Sequence, residues 1–276
     1  MPKIIAHTLV RNEARWIWFA LTSVLDFVDE IMVWDTGSDD STSEIVKSIN
    51  SPKIKIKQIG KVDAAGHTAA RQKMLDQSDC DWILILDGDE IWYKDSLVAC
   101  ADLVTHNPSL SAVISPFINL VGDIYHYQDP QRSRYQIGKY RGTFNLRFIN
   151  RKIPGLHVTN PHGRQEYRDE NEISLQNLPK EKLQLVNSPY LHTTHLPRSL
   201  SKKADVQTLK RSFKFKYELG IHFPADFIYP EVFYLPRPDI VPDPWIHQGT
   251  EYLAKSLILE PARIVKNLVS GQKSGY

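Results

Sequence analysis

Trp82-Ile83-Leu84-Ile85-Leu86-Asp87-Gly88-Asp89-Glu90 runs an apolar stretch straight into three carboxylates. An unbroken apolar run of this length, closed by a turn signal, reads as a strand buried on both faces. Residues two apart on an extended chain point the same way, so Asp87 and Asp89 can converge on one ion. Ligands of open α/β sheets bind beyond the carboxyl ends of the strands. A hard divalent cation held there by one or two carboxylates completes its shell with water and substrate phosphates. The stretch therefore points to a metal–phosphate site. An acidic loop after a core strand is the plainer alternative.

Outward from this strand, the first hundred residues alternate strand and helix patterns. Lys3–Leu9, Asp29–Trp34, Ile54–Ile59 and Trp82–Leu86 read as strands. Glu13–Leu25, Ser41–Ile49 and Ala64–Gln77 read as helices, the second capped by Ser38 or Asp39. Such alternation predicts a mostly parallel sheet with right-handed crossovers. The character changes after about residue 110. Ala112–Asn119, Thr143–Asn150 and Glu172–Gln176 read as further strands, and Pro154–Asp169 as a loop. Leu183–Leu191 leads into His192-Thr193-Thr194-His195. Ser199–Gly220 reads as a basic amphipathic helix, with Leu209, Phe213 and Tyr217 at i+4 spacing and Gly220 as its C-cap. The prolines of Phe223–Pro244 exclude regular helix. Trp245–Val269 is a final helical pattern, interrupted at Pro261.

Composition narrows the class. A chain of 276 residues suits one large domain or a domain with an appendage. A net charge of +2 gives no excess of the kind nucleic-acid binding asks for, so no nucleic-acid partner is expected. Cys80 and Cys100 are too few for a disulfide scaffold and lack metal-ligand spacing, which favours a reducing compartment. Met1–Ala6 turns polar at His7, too short for the apolar region of a signal peptide. No apolar run approaches the roughly 20 residues of a spanning helix. A soluble, cytoplasmic protein is expected. A basic amphipathic C-terminal helix leaves room for peripheral membrane contact, although packing on its own domain or a partner is the commoner use.

Four features fall at or near strand ends of the first half: Arg11-Asn12-Glu13, Asp35–Thr42, Gly66–Arg71 and Asp87-Gly88-Asp89. Parallel strands put their C-terminal ends on one edge, so these features should meet in one cleft. Together they resemble the family 2 glycosyltransferases, which carry the GT-A nucleotide-sugar fold. Met32–Thr42 resembles the family's second-strand motif, Ala70-Arg71-Gln72 its "ARN" segment and Asp87-Gly88-Asp89 its "DXD" segment. The resemblance covers residues 3–100 well and continues more loosely to about 200. It implies a GT-A (Rossmann-like) mixed, mostly parallel sheet flanked by helices. Residues 1–200 would form the transferase domain, with a nucleotide-binding half (1–100) and an acceptor half (101–200). Residues 201–276 would form a helical, Pro-rich extension.

The implied reaction moves a sugar from a nucleotide-diphosphate sugar to an acceptor hydroxyl, with Mn2+ or Mg2+ and with inversion, as in polysaccharide biosynthesis. By resemblance, Asp35 accepts a hydrogen bond from the donor's base. A carboxylate suits an imide N–H, which favours UDP or dTDP donors. Thr8 and Arg11 would line the nucleoside pocket, and Arg71 would approach the base or pyrophosphate. Asp87 would contact ribose and metal, and Asp89 the metal directly. His195-Leu196-Pro197-Arg198-Ser199 resembles the segment that supplies a distant metal-binding His. His195 is favoured over His192 as that ligand, and Arg198 would close over the pyrophosphate.

An inverting transfer also needs a general base on the acceptor hydroxyl. Gly155-Leu156-His157-Val158 resembles a "GxHE" element, but Val158 stands where Glu is common. His157, Glu166 and Asp169 are the candidates. Tyr125–Tyr140, rich in aromatic and polar residues, suits the face of a saccharide acceptor or a surface loop equally. Lipid-linked and protein acceptors fit the sequence as well. Two rivals stand beside this reading. A nucleotidyltransferase would carry a Gly-rich loop after the first strand, where this chain has Val10-Arg11-Asn12-Glu13. A non-catalytic nucleotide-sugar-binding scaffold would keep the cleft without the base. Asp89→Ala should remove metal-dependent donor binding and leave the fold intact, since Asp89 sits at a strand end.

Overall fold

The first four strands form where their apolar runs predict. β1 (Ile4–Val10), β2 (Glu30–Asp35), β3 (Ile54–Gln58) and β4 (Trp82–Ile85) are joined by α1 (Ile17–Val24), α2 (Thr42–Ser48) and α3 (Ala64–Asp76). The structure is a computed structural model that describes residues 2–132, 135–208, 211, 214 and 216–269, without the side chains of Arg132, Lys202 and 261–269. The chain continues through β5 (Glu90–Trp92), α4 (Lys94–His106), β6 (Ala112–Asn119), β7 (His126–Tyr127), β8 (Tyr135–Ile137), β9 (Tyr140–Gly142) and β10 (Phe144–Asn150). A hairpin of β11 (His157–Thr159) and β12 (Glu166–Arg168) follows. After it come β13 (Leu183–Leu185), β14 (Tyr190–His192), α5 (Lys202–Gln207), β15 (Ile221–His222) and α6 (Thr250–Val269).

The main sheet runs β3-β2-β1-β4-β10-β6-β14-β5, with β13 also on β6. β1 is parallel to β2 and β4, and β2 to β3. β10 lies antiparallel between β4 and β6, and β14 is parallel to β6. β1, β2, β4, β6 and β14 therefore all end on one rim. The order reverses between β1 and β4, where the chain leaves to build β2 and β3 and returns on the other side. Open α/β sheets bind ligands in the crevice at such a switch point.

Both faces of the sheet are covered, which is why its strands read as continuous apolar runs. Ile4, Ala6 and Val10 of β1 and Trp82 and Leu84 of β4 meet Ile17, Leu21, Ile45 and Leu97 from α1, α2 and α4. The alternate residues Ile5 and Leu9 meet Ala70 and Met74 of α3. Ile83 and Ile85 meet Leu75 of α3 together with Leu156 and Val158 beside the hairpin. The mixed, helix-flanked sheet expected from the sequence is the one observed.

Several local expectations are corrected. The first helix begins only at Ile17, because Glu13 is drawn into the site. α2 takes its N-terminal hydrogen bond from Asp40, whose Oδ1 accepts from the Thr42 amide at 3.0 Å, and not from Ser38 or Asp39. Glu172–Gln176 is not a strand. Asp169 accepts from the amides of Asn171 and Ile173 and curls this segment into a turn. The Pro154–Asp169 loop contains the β11–β12 hairpin. Among the described residues of Ser199–Gly220 the α-helix formed is α5, which Ser201 caps through the Ala204 amide. Leu209 and Phe213, two of the three residues of that helical pattern, lie outside the described residues. Gly220 has φ +70° and turns the chain against Val121, where an added Cβ would meet Val121 Cγ2 at 2.6 Å. It caps no helix. α6 continues through Pro261 without interruption. No helix among the described residues is long and apolar enough to cross a membrane.

Candidate active site

The Asp-Gly-Asp turn leaves β4 and folds down on the exit of β1. Gly88 makes that approach possible: a Cβ there would sit 2.9 Å from Glu13 Cγ and 3.2 Å from Val10 Cγ1. The two turn carboxylates are thereby delivered to the switch point.

Each of them meets cations. Asp87 accepts from Arg71 Nη2 at 2.9 Å and Arg147 Nη2 at 3.2 Å. Burial works against its ionisation, yet the Arg147 and Arg71 guanidiniums hold its carboxyl well below the usual carboxylate range. Asp89 is buried and accepts from Arg198 Nη1 at 2.5 Å. Here too burial is outweighed, chiefly by Arg198, and the carboxyl is held low. Arg198 also approaches Glu13 Oε1 at 3.2 Å, and Arg211 Nη2 meets the same oxygen at 2.5 Å. Burial pushes Glu13 up to about 7 against the pull of both guanidiniums. Arg211 continues to Asp205 at 3.0 Å and to the Arg11 carbonyl at 2.7 Å. Lys214, exposed to solvent, helps hold the Asp87 and Asp89 carboxyls low. On the opposite side Arg147 bridges Asp87 to Glu90, whose Oε1 also accepts from the Tyr190 hydroxyl at 2.9 Å.

The two histidines separate. β14 stays extended to His192, whose Nε2 lies 3.4 Å from Asp89 Oδ2. The chain then turns, and His195 faces away, its Nδ1 against the Lys214 carbonyl at 2.7 Å. The sequence favoured His195, whereas the strand geometry puts His192 at the carboxylate. Burial lowers the pKa of both, so neutral imidazole is the form present.

On the β2 side, Asp35 is buried and accepts from the Ser38 amide at 2.8 Å, Ser43 Oγ at 2.7 Å and Gln58 Nε2 at 3.2 Å. Thr8 is buried with its hydroxyl unpaired, and Arg11 is half-buried at the end of β1. The three base candidates lie in or beside the β11–β12 hairpin, which docks on α3 through Val158 N to Gln72 Oε1 at 2.7 Å. His157 is held by the Gly155 carbonyl and Glu172, Glu166 by Asn160 and Arg168, and Asp169 by the Asn171 and Ile173 amides. None of these partners is Asp87 or Asp89.

Sequence reasoning placed Glu13 in a strand-end feature and Glu90 among the carboxylates after β4 but gave neither a role, and it did not single out Arg147, Tyr190, Arg211 or Lys214. Arg147 carried the one visible signal, a charge inside the apolar strand pattern of Phe144–Asn150. As for a metal, no group of three His, Cys, Asp or Glu side chains converges among the described residues. Asp89 with neutral His192 does supply a carboxylate–imidazole pair. That donor set fits a divalent ion that draws its remaining ligands from phosphate and water.

Comparison with known proteins agrees with this architecture. The SPbeta prophage-derived glycosyltransferase SunS of Bacillus subtilis (strain 168) is 32% identical over 128 residues, 45% of this chain and 29% of SunS. An uncharacterized glycosyltransferase of Rickettsia felis is 37% identical over 97 residues, 34% of this chain and 31% of that protein. The chain thus spans less than a third of the length of these relatives. Glucosyl-3-phosphoglycerate synthase from Mycobacterium tuberculosis, solved with Mn2+, UDP-glucose and phosphoglyceric acid, superposes with a TM-score of 0.50 at 16% identity, over 69% of this chain and 72% of that one. This is a likeness of fold. The sequence profile of "Glycosyl transferase family 2" matches residues 7–170, more than half of the chain, and the protein belongs to that family.

Proposed function

We propose that this protein moves a sugar from a nucleoside-diphosphate sugar, of UDP or dTDP type, to an acceptor hydroxyl with inversion. One observation carries the reading: Arg71, Arg147 and Arg198 gather on Asp87 and Asp89 at the β1/β4 switch point, with Lys214 beside them. A diphosphate leaving group needs donors aimed at its developing charge. Guanidinium forks match phosphate oxygens, and Arg198 can exchange Asp89 for them. In the transfer, the acceptor oxygen bonds to the anomeric carbon as the bond to the diphosphate breaks. The electron pair leaves with the diphosphate and the hydroxyl proton passes to a base.

Asp89 and His192 would hold Mn2+ or Mg2+, which when bound would help neutralise the departing diphosphate. Mn2+ and UDP-glucose in the structurally similar synthase support the use of a divalent metal with a nucleotide sugar. Asp87 would contact the ribose. Asp35 Oδ1 accepts once from the protein, so a lone pair is left for a base imide. Thr8 and Arg11 would flank the nucleoside. A base drawn from His157, Glu166 or Asp169 would first have to give up its hairpin contacts. Saccharide, lipid-linked and protein acceptors all fit the chemistry. Peripheral membrane contact through α6 belongs to the same reading, since Leu257 and Ile258 on that helix are 62% and 75% exposed.

A thermal-shift series with UDP, dTDP, GDP, ADP and CDP, each with and without Mn2+, tests the proposal. A ligand bound only by the folded state stabilises it by ~2.7 kcal/mol at a hundredfold excess over Kd. UDP or dTDP should raise the melting temperature, and more so with Mn2+. GDP alone would keep the transferase and overturn the role of Asp35. Binding without turnover on any acceptor would favour a scaffold, and no shift with any diphosphate would sink the reading of the cleft.

A further inference from the structure

Asn119 ends β6 and pairs with His192 across the β6–β14 ladder. Phe117, on the same strand, presents its ring edge-on to His192 at 5.1 Å between centroids. Phe117 and Asn119 also line a cleft of about 310 Å3. That volume is in the range of small-ligand sites, ~300–1,000 Å3.

One wall is aromatic. Phe223 stacks on Tyr127 at 4.6 Å and on Phe227 at 3.7 Å. The polar lining consists of Asn119, Gln128, Asp129 and Thr143, and no Lys, Arg or His is among the described lining residues. The contrast with the cation-rich site one strand away is complete.

The amides are oriented by charge. Both oxygens of buried Glu218 accept from Gln128 Nε2, at 3.1 and 3.0 Å. With its amide nitrogen engaged on Glu218, Gln128 turns its carbonyl oxygen toward Asn119. Gln128 Oε1 is therefore left to accept, and it accepts from Asn119 Nδ2 at 3.2 Å. The relay ends at Asn119 Oδ1, a buried carbonyl oxygen with no donor from the protein, on a residue only 8% exposed. A buried acceptor left unpaired is costly, and a ligand hydroxyl relieves that cost.

We propose that this cleft is the acceptor site and that it takes an uncharged pyranoside. The apolar face of the sugar ring packs on the half-buried Phe227, the outer ring of that stack, and a ring hydroxyl donates to Asn119 Oδ1. Phosphorylated or carboxylated acceptors find no cation among the described lining residues and meet the Asp129 carboxylate. The assignment to the acceptor rests on the glycosyltransferase reading, whereas the sugar chemistry of the cleft does not.

Saturation-transfer NMR on the purified protein separates the two. The probes are methyl β-glucopyranoside and methyl N-acetyl-β-glucosaminide, with glucose 6-phosphate, glucuronic acid and a phenylalanine-containing tripeptide as competitors. The neutral pyranosides should receive saturation at ring-face protons. Phe227→Ala and Asn119→Leu should each weaken them about three- to tenfold, the range of one stacking or hydrogen-bond contact. Thr143→Phe, which fills the cleft without removing a packed side chain, should abolish the signal. Melting temperatures report folding of each variant, and the UDP-induced shift should match wild type in all three. Silence of the neutral sugars, equal binding by the filled variant, or preference for a charged sugar or the peptide would overturn the proposal. Sugar binding in this pattern without any diphosphate binding would retain the cleft and remove the donor reading.

Discussion

The two sides of the rim are built by different means. On the β1–β4 side, Asp35, Asp87 and Asp89 stand at or just beyond the ends of regular strands, and hydrogen-bonded ladders fix their places. On the other side, Arg198 comes from irregular chain and Arg211 from the stretch beyond α5. Backbone and side-chain anchors hold that chain: Arg15 N to the Arg198 carbonyl at 2.9 Å, Trp16 Nε1 to the Pro197 carbonyl at 2.8 Å, and the Ser199 amide to Asp205 at 3.1 Å. The regular side supplies carboxylates and the irregular side supplies most of the cations. Charge pairing, more than periodicity, holds the second side, and among its described residues the helix expected over Ser199–Gly220 is present as α5. The chain beyond it is tied down the same way by contacts between distant residues, now aromatic. Phe233 stacks on Phe19 of α1 at 5.2 Å and meets Trp245 at 5.7 Å.

The sharpest way to break this contrast is to ask whether the irregular chain is structural or merely draped. Phe233 is fully buried between α1 and Trp245. Phe233→Ala should cost ~4 kcal/mol, as for a core aromatic. Urea unfolding measures it. A loss under ~1 kcal/mol would mean that the segment lies on the domain without belonging to its core. Asp89→Ala comes next. The sequence placed Asp89 at a strand end and predicted an intact fold, but the side chain is buried against Arg198. Removing one partner of a buried pair costs ~3 kcal/mol because the other charge is stranded. Glu13 also contacts Arg198 and reduces that penalty. Asp89→Ala should therefore lose ~2–3 kcal/mol of stability and all Mn2+-dependent UDP shift. Full stability in this variant would show that Arg198 has another resting place.

The legible part of the molecule follows from this contrast. Trp82–Leu86 announced a doubly covered strand because both faces of β4 are packed, and the Asp-Gly-Asp that follows could be located from that strand alone. Asp35 was legible for the same reason, since it closes β2, and Arg71 was legible from the helical segment that carries it. Glu13 was placed near the cleft but not with its partner, and Arg211 read as part of a helix. Their contact bridges a separation of 198 residues, and no local pattern encodes a pair so far apart. His192 and His195 could not be ranked from spacing, since the decision depends on where β14 stops. Glu90 looked like the tail of an acidic turn, yet it is fully buried beneath Arg147 and Tyr190.

Glu13 gives the smallest predicted effect and the finest test of how the two sides are coupled. Burial raises its pKa from 4.5 to about 7, against Arg198 and Arg211. A raised carboxyl binds its proton more tightly in the folded state. Its contribution to stability is therefore full below about pH 4.5 and is lost as pH rises through about 7. Asp87 and Asp89 behave in the opposite sense, since their depressed pKa values make a contribution that disappears only in acid. Wild type should thus lose on the order of 2 kcal/mol relative to Glu13→Gln between those two pH values. Urea unfolding of both proteins at pH steps across the interval reads the difference directly. A gap that does not change with pH would mean that Glu13 is ionised throughout, clamped by both guanidiniums. Arg198 would then be anchored by two carboxylates, and releasing it to a diphosphate would be correspondingly harder. A gap that closes as predicted leaves Asp89 as the charge that holds Arg198, so that one ion or one phosphate at Asp89 is enough to shift the irregular side of the rim.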